Sequence, residues 1–195
     1  MFTILRIDAH ASADRMPTEY AALAASGRTD VVLKQADAET PEQLVAAAQE
    51  ADVLLTDCAM LTGAVLQQLP RCRAIIRYGV GYDTVDVATA SKCGIAVVNV
   101  PDFCNEEVSN HVMMFLLAAA KKLKPLDALV RQGQWAQAKA MQRPMGIIHG
   151  ETLGIIGCGN LGRSVAVKAH AFGMPVIGYS PHTPQPLLNA AGIRA

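Results

Sequence analysis

The chain alternates short apolar runs with stretches of helical spacing. Residues 3–7, 31–33, 52–56, 73–78 and 95–98 are compact apolar runs of strand length. Helices are predicted between them. The first spans residues 18–25 and is stopped by Gly27. The second starts at Thr40, where Thr40 as N-cap, Pro41 at the first helical position and Gln43 closing a capping box all agree; it carries Leu44, Val45 and Ala48. The third is short, opens at Thr62 and ends before Pro70. The fourth covers residues 83–93 and is stopped by Gly94. Strands separated by single helices imply right-handed crossovers and a doubly wound parallel sheet.

Pro101 breaks this pattern. A long helix is predicted over about residues 105–122 and a shorter one over 126–132, followed by an irregular stretch from Gly133 to Gly150. The long helix is apolar around most of its circumference, so burial on several sides is expected, between domains, between subunits, or both. A second sheet opens at Thr152. The chain thus divides near residues 99–101, into a first domain of residues 1–100 and a second of residues 101–195.

The second sheet carries the most informative stretch, Leu153-Gly154-Ile155-Ile156-Gly157-Cys158-Gly159-Asn160-Leu161-Gly162. An apolar strand runs into a glycine-rich turn. A helix with Val165, Val167, Ala169 and Phe172 follows, then Gly173 as a stop and a further strand over 175–179. Gly-x-Gly-x-x-Gly in this setting is a dinucleotide fingerprint. Gly157 allows a sharp turn, Gly159 lets backbone approach a pyrophosphate, and Gly162 lets the helix pack close to the strand. The N–H groups of the first helical turn then face the phosphates.

Composition narrows the class. Hydrophobic residues make up 51% and charged residues 17%, which fits a well-cored globular protein rather than a disordered one. The formal net charge is zero, so neither nucleic acid nor an anionic membrane is an expected partner. The longest apolar run, residues 112–120, is far shorter than a bilayer span. Cys58, Cys72, Cys93, Cys104 and Cys158 form no C-x-x-C pair, and no secretory signal opens the chain, so reduced thiols in a cytoplasmic protein are expected.

Three segments together resemble one family, the D-isomer-specific 2-hydroxyacid dehydrogenases. They are Arg77-Tyr78-Gly79-Val80-Gly81-Tyr82-Asp83-Thr84-Val85-Asp86, the stretch from Asn99 to His111, and the glycine fingerprint continued from Thr152 to Tyr179. The resemblance implies a flavodoxin-like substrate domain followed by a Rossmann dinucleotide-binding domain, incomplete at its C-terminus. It implies hydride transfer between NAD or NADP and a small 2-oxo or 2-hydroxy acid, in a homodimer built through the cofactor domain. By position, the backbone of Gly79, Val80 and Gly81 would receive the substrate carboxylate, with Val80 also near the nicotinamide. Gly157, Gly159, Asn160, Leu161 and Gly162 would hold the pyrophosphate.

Several polar residues are read as structural. Asp83 is expected to cap the helix start and Asp86 to favour its dipole, rather than the two forming an acid–base pair. His111 is expected to make a structural hydrogen bond. Glu106 and Glu107 suit a first helical turn.

Two departures from the family stand out. Ser180 ends the second Rossmann strand where an acidic residue usually bonds the adenosine ribose, which admits NADP, with His182 close by. The family's catalytic arginine, glutamate and histidine are expected beyond Ala195; His10, His111, His149, His170 and His182 all lack the matching context. The chain is therefore expected to be inactive alone. The competing readings are a non-enzymatic dinucleotide-binding corepressor or sensor, and an inactive gene remnant.

Overall fold

Every strand of the two sheets runs parallel to its neighbours. The structure is a computed structural model that describes residues 1–8 and 16–195; His10 lies outside the described residues. Its two compact units are Met1–Phe103 and Cys104–Ala195.

The first unit contains β1 (Phe2–Asp8), α1 (Met16–Ala25), β2 (Val31–Asp37), α2 (Pro41–Ala48), β3 (Val53–Thr56), α3 (Gly63–Leu66), β4 (Ala74–Arg77), α4 (Val87–Lys92) and β5 (Ala96–Val98). Its sheet order is β2-β1-β3-β4-β5, the flavodoxin-like order. Leu5, Ile7, Leu54 and Ile75 fill the core on one face, against Leu44, Val65, Leu66 and Ala90 from the helices. On the opposite face, Glu19 of α1 accepts from the Tyr78 hydroxyl and lies 3.7 Å from the buried Arg6. The capping box of α2 forms as predicted, with the Thr40 hydroxyl accepting from Gln43 N–H at 3.3 Å.

The predicted helix over 83–93 is shorter than expected. Val85 is pinned beside Leu61, because Leu61 N–H donates to Thr84 O and Asp86 N–H donates to Leu61 O. This holds the chain extended, so α4 begins at Val87. Asp86, not Asp83, is its N-cap: the carboxylate accepts from Thr89 N–H at 2.9 Å and from the Thr89 hydroxyl at 2.8 Å. Asp83 lies exposed in the preceding turn.

The second unit contains α5 (Asn105–Ala120), α6 (Leu123–Arg131), α7 (Trp135–Met141), β6 (Leu153–Ile156), α8 (Asn160–Ala171), β7 (Val176–Tyr179), α9 (Gln185–Ala190) and β8 (Ile193–Arg194). Its sheet order is β6-β7-β8, one half of a classic Rossmann sheet. Three elements lie where none was predicted. Helix α7 has no side-chain cap and buries Ala138 alone. Helix α9 is capped by Pro184 and carries Pro186 in its first turn, and β8 is two residues long. None of the three leaves the periodic signal by which elements are recognised.

Helix α5 also differs from expectation. Within its unit it buries Ser109 and Met113 alone, against α8, where the Ser109 and Ser164 hydroxyls meet at 3.0 Å. Val108, Val112, Met114 and Phe115 are exposed. No described helix is long and apolar enough to cross a membrane, and all five cysteines are free.

Candidate functional site

Two glycine turns leave the C-terminal ends of strands, the place where open parallel sheets bind ligands. The first follows β4. The carbonyl of Gly79 accepts from Val100 N–H at 3.0 Å and that of Val80 from the Asn99 side-chain amide at 2.7 Å. The N–H groups of Gly79, Val80 and Gly81 have no hydrogen-bond partner among the described residues. The turn thus presents bare donors while its acceptors are used, which suits a small anion. A Cβ at residue 79 would lie 1.3 Å from Arg77 Nη1, so glycine here lets the tip of the Arg77 side chain rest against the turn.

The flavodoxin-like order would also direct a ligand to the crevice between β1 and β3. In this chain that crevice holds its own anion. The buried Asp8 carboxylate accepts from the Thr56 hydroxyl at 2.9 Å and from the N–H groups of Asp57, Cys58 and Ala59 at 2.9, 2.7 and 3.1 Å. The donors after β3 are consumed, and the open ones lie after β4. No signal in the sequence singled out Asp8, since its partners are almost all backbone groups 48 to 51 residues away.

The second turn joins β6 to α8. Gly157 has φ +88°, in the left-handed region that a side chain disfavours. A Cβ on Gly162 would sit 2.3 Å from Gly157 O, so only glycine lets α8 approach the strand this closely. A Cβ on Gly159 would meet nothing within 4 Å. That open space lies at the N-terminus of α8, where the first helical bond is Arg163 N–H to Gly159 O at 3.0 Å. The N–H groups of Asn160 and Leu161 precede that bond, in the first turn of α8. The residues present therefore fit a dinucleotide pyrophosphate, held by helix N–H groups and the helix dipole.

Beyond β7, the Ser180 and Thr183 hydroxyls lie 2.8 Å apart, and Thr183 Oγ1 donates to Cys158 O at 3.3 Å. His182 is exposed between them. The remaining polar candidates stay structural. Thr89 holds the Asp86 carboxyl below the usual aspartate range, through its N–H first and then its hydroxyl. Glu106 pairs with Lys168 at 2.9 Å, which lowers its carboxyl too. His111 does not make the expected hydrogen bond; it is exposed and meets the Phe115 ring edge-to-face at 4.5 Å. Among the described residues no His, Cys, Asp or Glu cluster could hold a metal ion.

Residues 11–173 match the family described as D-isomer specific 2-hydroxyacid dehydrogenase, catalytic domain. The chain is 36% identical over 156 residues to a D-3-phosphoglycerate dehydrogenase of Methanocaldococcus jannaschii, covering 79% of this chain and 29% of that protein. It is 35% identical over 144 residues to a glyoxylate reductase of Thermococcus gammatolerans, covering 71% of this chain and 43% of the relative. The chain thus spans less than half the length of these curated relatives. Among solved structures it resembles a D-lactate dehydrogenase from Aquifex aeolicus complexed with NAD and lactic acid, with a TM-score of 0.79 and 25% identity over 97% of this chain and 54% of that one. The fold is also that of an acyclic imino acid reductase in complex with NADPH and D-Arg, with a TM-score of 0.77 at 24% identity, covering 99% of this chain and 59% of that one. The chain belongs to the D-isomer specific 2-hydroxyacid dehydrogenase family.

Proposed function

We propose that this chain supplies the substrate-carboxylate turn and the pyrophosphate turn of an NAD(P)-dependent oxidoreductase acting on a small 2-oxo or 2-hydroxy acid. The unit Met1–Phe103 serves as the substrate domain and Cys104–Ala195 as the dinucleotide domain. The observation that carries this reading is the β6–α8 turn, with Gly162 too close to Gly157 O to admit a Cβ and open space at Gly159. When bound, the dinucleotide supplies the hydride chemistry. The chain's own residues bind and orient: Gly79, Val80 and Gly81 N–H groups hold the carboxylate, and Gly157 through Gly162 hold the pyrophosphate.

No histidine described here is placed as a general acid–base. His111 packs on Phe115, the two ring nitrogens of His170 face Met174 O and Ala191 O, and His149 lies against Gly173. The 195-residue chain alone is therefore read as binding without turnover. The exposed apolar face of α5 to α7, with Val112, Phe115, Leu123, Val130 and Trp135, suits a second copy of the chain.

Calorimetric titration of the 195-residue chain with NADH and NADPH tests the binding role, and spectrophotometry with glyoxylate, pyruvate and hydroxypyruvate tests turnover. The expected outcome is dinucleotide binding without protein-dependent oxidation. Absence of any binding at millimolar dinucleotide would overturn the reading. Oxidation by a clean preparation would overturn the non-catalytic part of it.

A further inference from the structure

Resting on the proposed dinucleotide reading, we infer that the adenosine end of the site is built for a 2′-phosphate, and that Arg163 is the residue that reads it. In Rossmann folds the ribose 2′ position is met at the end of the second strand, by a carboxylate for NAD or near an arginine for NADP. Here that strand is β7, and Ser180 follows it directly.

Two groups from different elements converge beside it on a single atom. Arg163, in the second turn of α8, donates from Nη1 to Cys158 O at 3.1 Å and from Nη2 to Asn160 Oδ1 at 2.7 Å. Thr183 donates to the same Cys158 O and lies against the Ser180 hydroxyl. The half-buried guanidinium is thereby held back over the glycine turn, and it shares the Cys158 carbonyl with the hydroxyl pair that closes the end of β7. Both partners of Arg163 are neutral oxygens, and no carboxylate pairs with it among the described residues. Its charge is uncompensated.

The surrounding sequence points the same way. Residues 152–195, which form β6, α8, β7, α9 and β8, contain no aspartate or glutamate at all, while Arg163, Lys168 and Arg194 are present. A 2′-hydroxyl would find no carboxylate to bond. A 2′-phosphate would find a planar guanidinium able to donate in parallel, the Ser180 hydroxyl as a further donor, and no repelling charge.

The test is calorimetric titration of the 195-residue chain with adenosine 2′,5′-bisphosphate and with 5′-AMP, for the wild type, Arg163→Gln and Ser180→Asp. The bisphosphate is expected to bind wild type at least about tenfold more tightly than 5′-AMP, with a preference that shrinks as salt is raised. Arg163→Gln should erase that preference while 5′-AMP binding remains measurable, which also shows that the variant is folded. Ser180→Asp should erase it by repulsion. Equal binding of the two ligands by wild type, tighter binding of 5′-AMP, or an undiminished preference in Arg163→Gln would overturn the inference and leave the dinucleotide reading standing. Failure of both ligands to bind would overturn both readings.

Discussion

The turn after β4 and the turn after β6 both leave the C-terminal end of a strand, yet they present backbone donors by different means. After β6 the chain passes at once into α8, so the donors are the first helical N–H groups, backed by the helix dipole and twelve residues of regular structure. After β4 no helix follows directly: Val85 is bridged to Leu61, and α4 begins only at Val87 with its own cap, Asp86. The Gly79 turn therefore presents isolated backbone donors, whose carbonyls are fastened by Asn99 and Val100. A diphosphate with two charges suits the first arrangement and a single carboxylate the second. Their glycines differ accordingly. Gly162 is needed because immovable backbone lies beside it, Gly79 because the end of the Arg77 side chain does.

That difference can be broken by substitution, and the largest effect is expected at Gly162. Gly162→Ala drives a Cβ into Gly157 O. Overpacking against backbone should cost about 1–3 kcal/mol in a denaturant melt and abolish 5′-AMP binding. Retained binding would show that α8 can back away from β6.

A smaller and reversible effect is expected at the other turn. In Gly79→Ala the clashing atom is the tip of a flexible side chain, so the stability loss should be about 1 kcal/mol. The displaced guanidinium should block the turn, and the amide shifts of Gly81 on adding oxamate, read by NMR, should vanish. Removing that side chain as well, in the Arg77→Ala, Gly79→Ala double variant, should restore them. If the double variant stays silent, Arg77 is not what glycine 79 accommodates.

The smallest effect concerns the cap that separates the Gly79 turn from α4. Asp86→Ala should lower the melting temperature by a few degrees at neutral pH. The Asp86 carboxyl titrates below the ordinary aspartate value in the folded chain, because Thr89 bonds its charged form. Its stabilisation is therefore complete above that ordinary value and is lost as pH falls through the depressed folded one. The gap between wild type and variant should be widest at neutral pH and close in acid. A gap independent of pH would mean that the carboxylate charge contributes nothing.

Much of this was legible in the sequence, where local chemistry suffices. Thr40, Pro41 and Gln43 specify the start of α2 within four residues, and the capping box forms. The five strands of the first sheet and the β6–α8–β7 unit announce themselves through short apolar runs punctuated by glycine. Illegible were elements that lean on distant partners. The start of α4 was misplaced because a bridge to Leu61, more than twenty residues away, overrides the helical spacing from Asp83. Helix α7 was missed because it has no cap and one buried residue.

The sequence by itself determined the alternation of strands and helices from β1 to β5, the β6–α8–β7 unit with its glycine fingerprint, and the bare composition of the mononucleotide half, since each depends on residues adjacent in the chain or on their count. Tertiary structure alone decided which backbone donors after the strands are taken and which stay open. Asp8 fills the nest after β3, Asn99 and Val100 occupy the carbonyls after β4, and Arg163 meets Thr183 at Cys158 O. Those choices rest on hydrogen bonds between elements far apart in sequence, and a backbone donor or acceptor carries no mark in the one-dimensional pattern of who its partner will be.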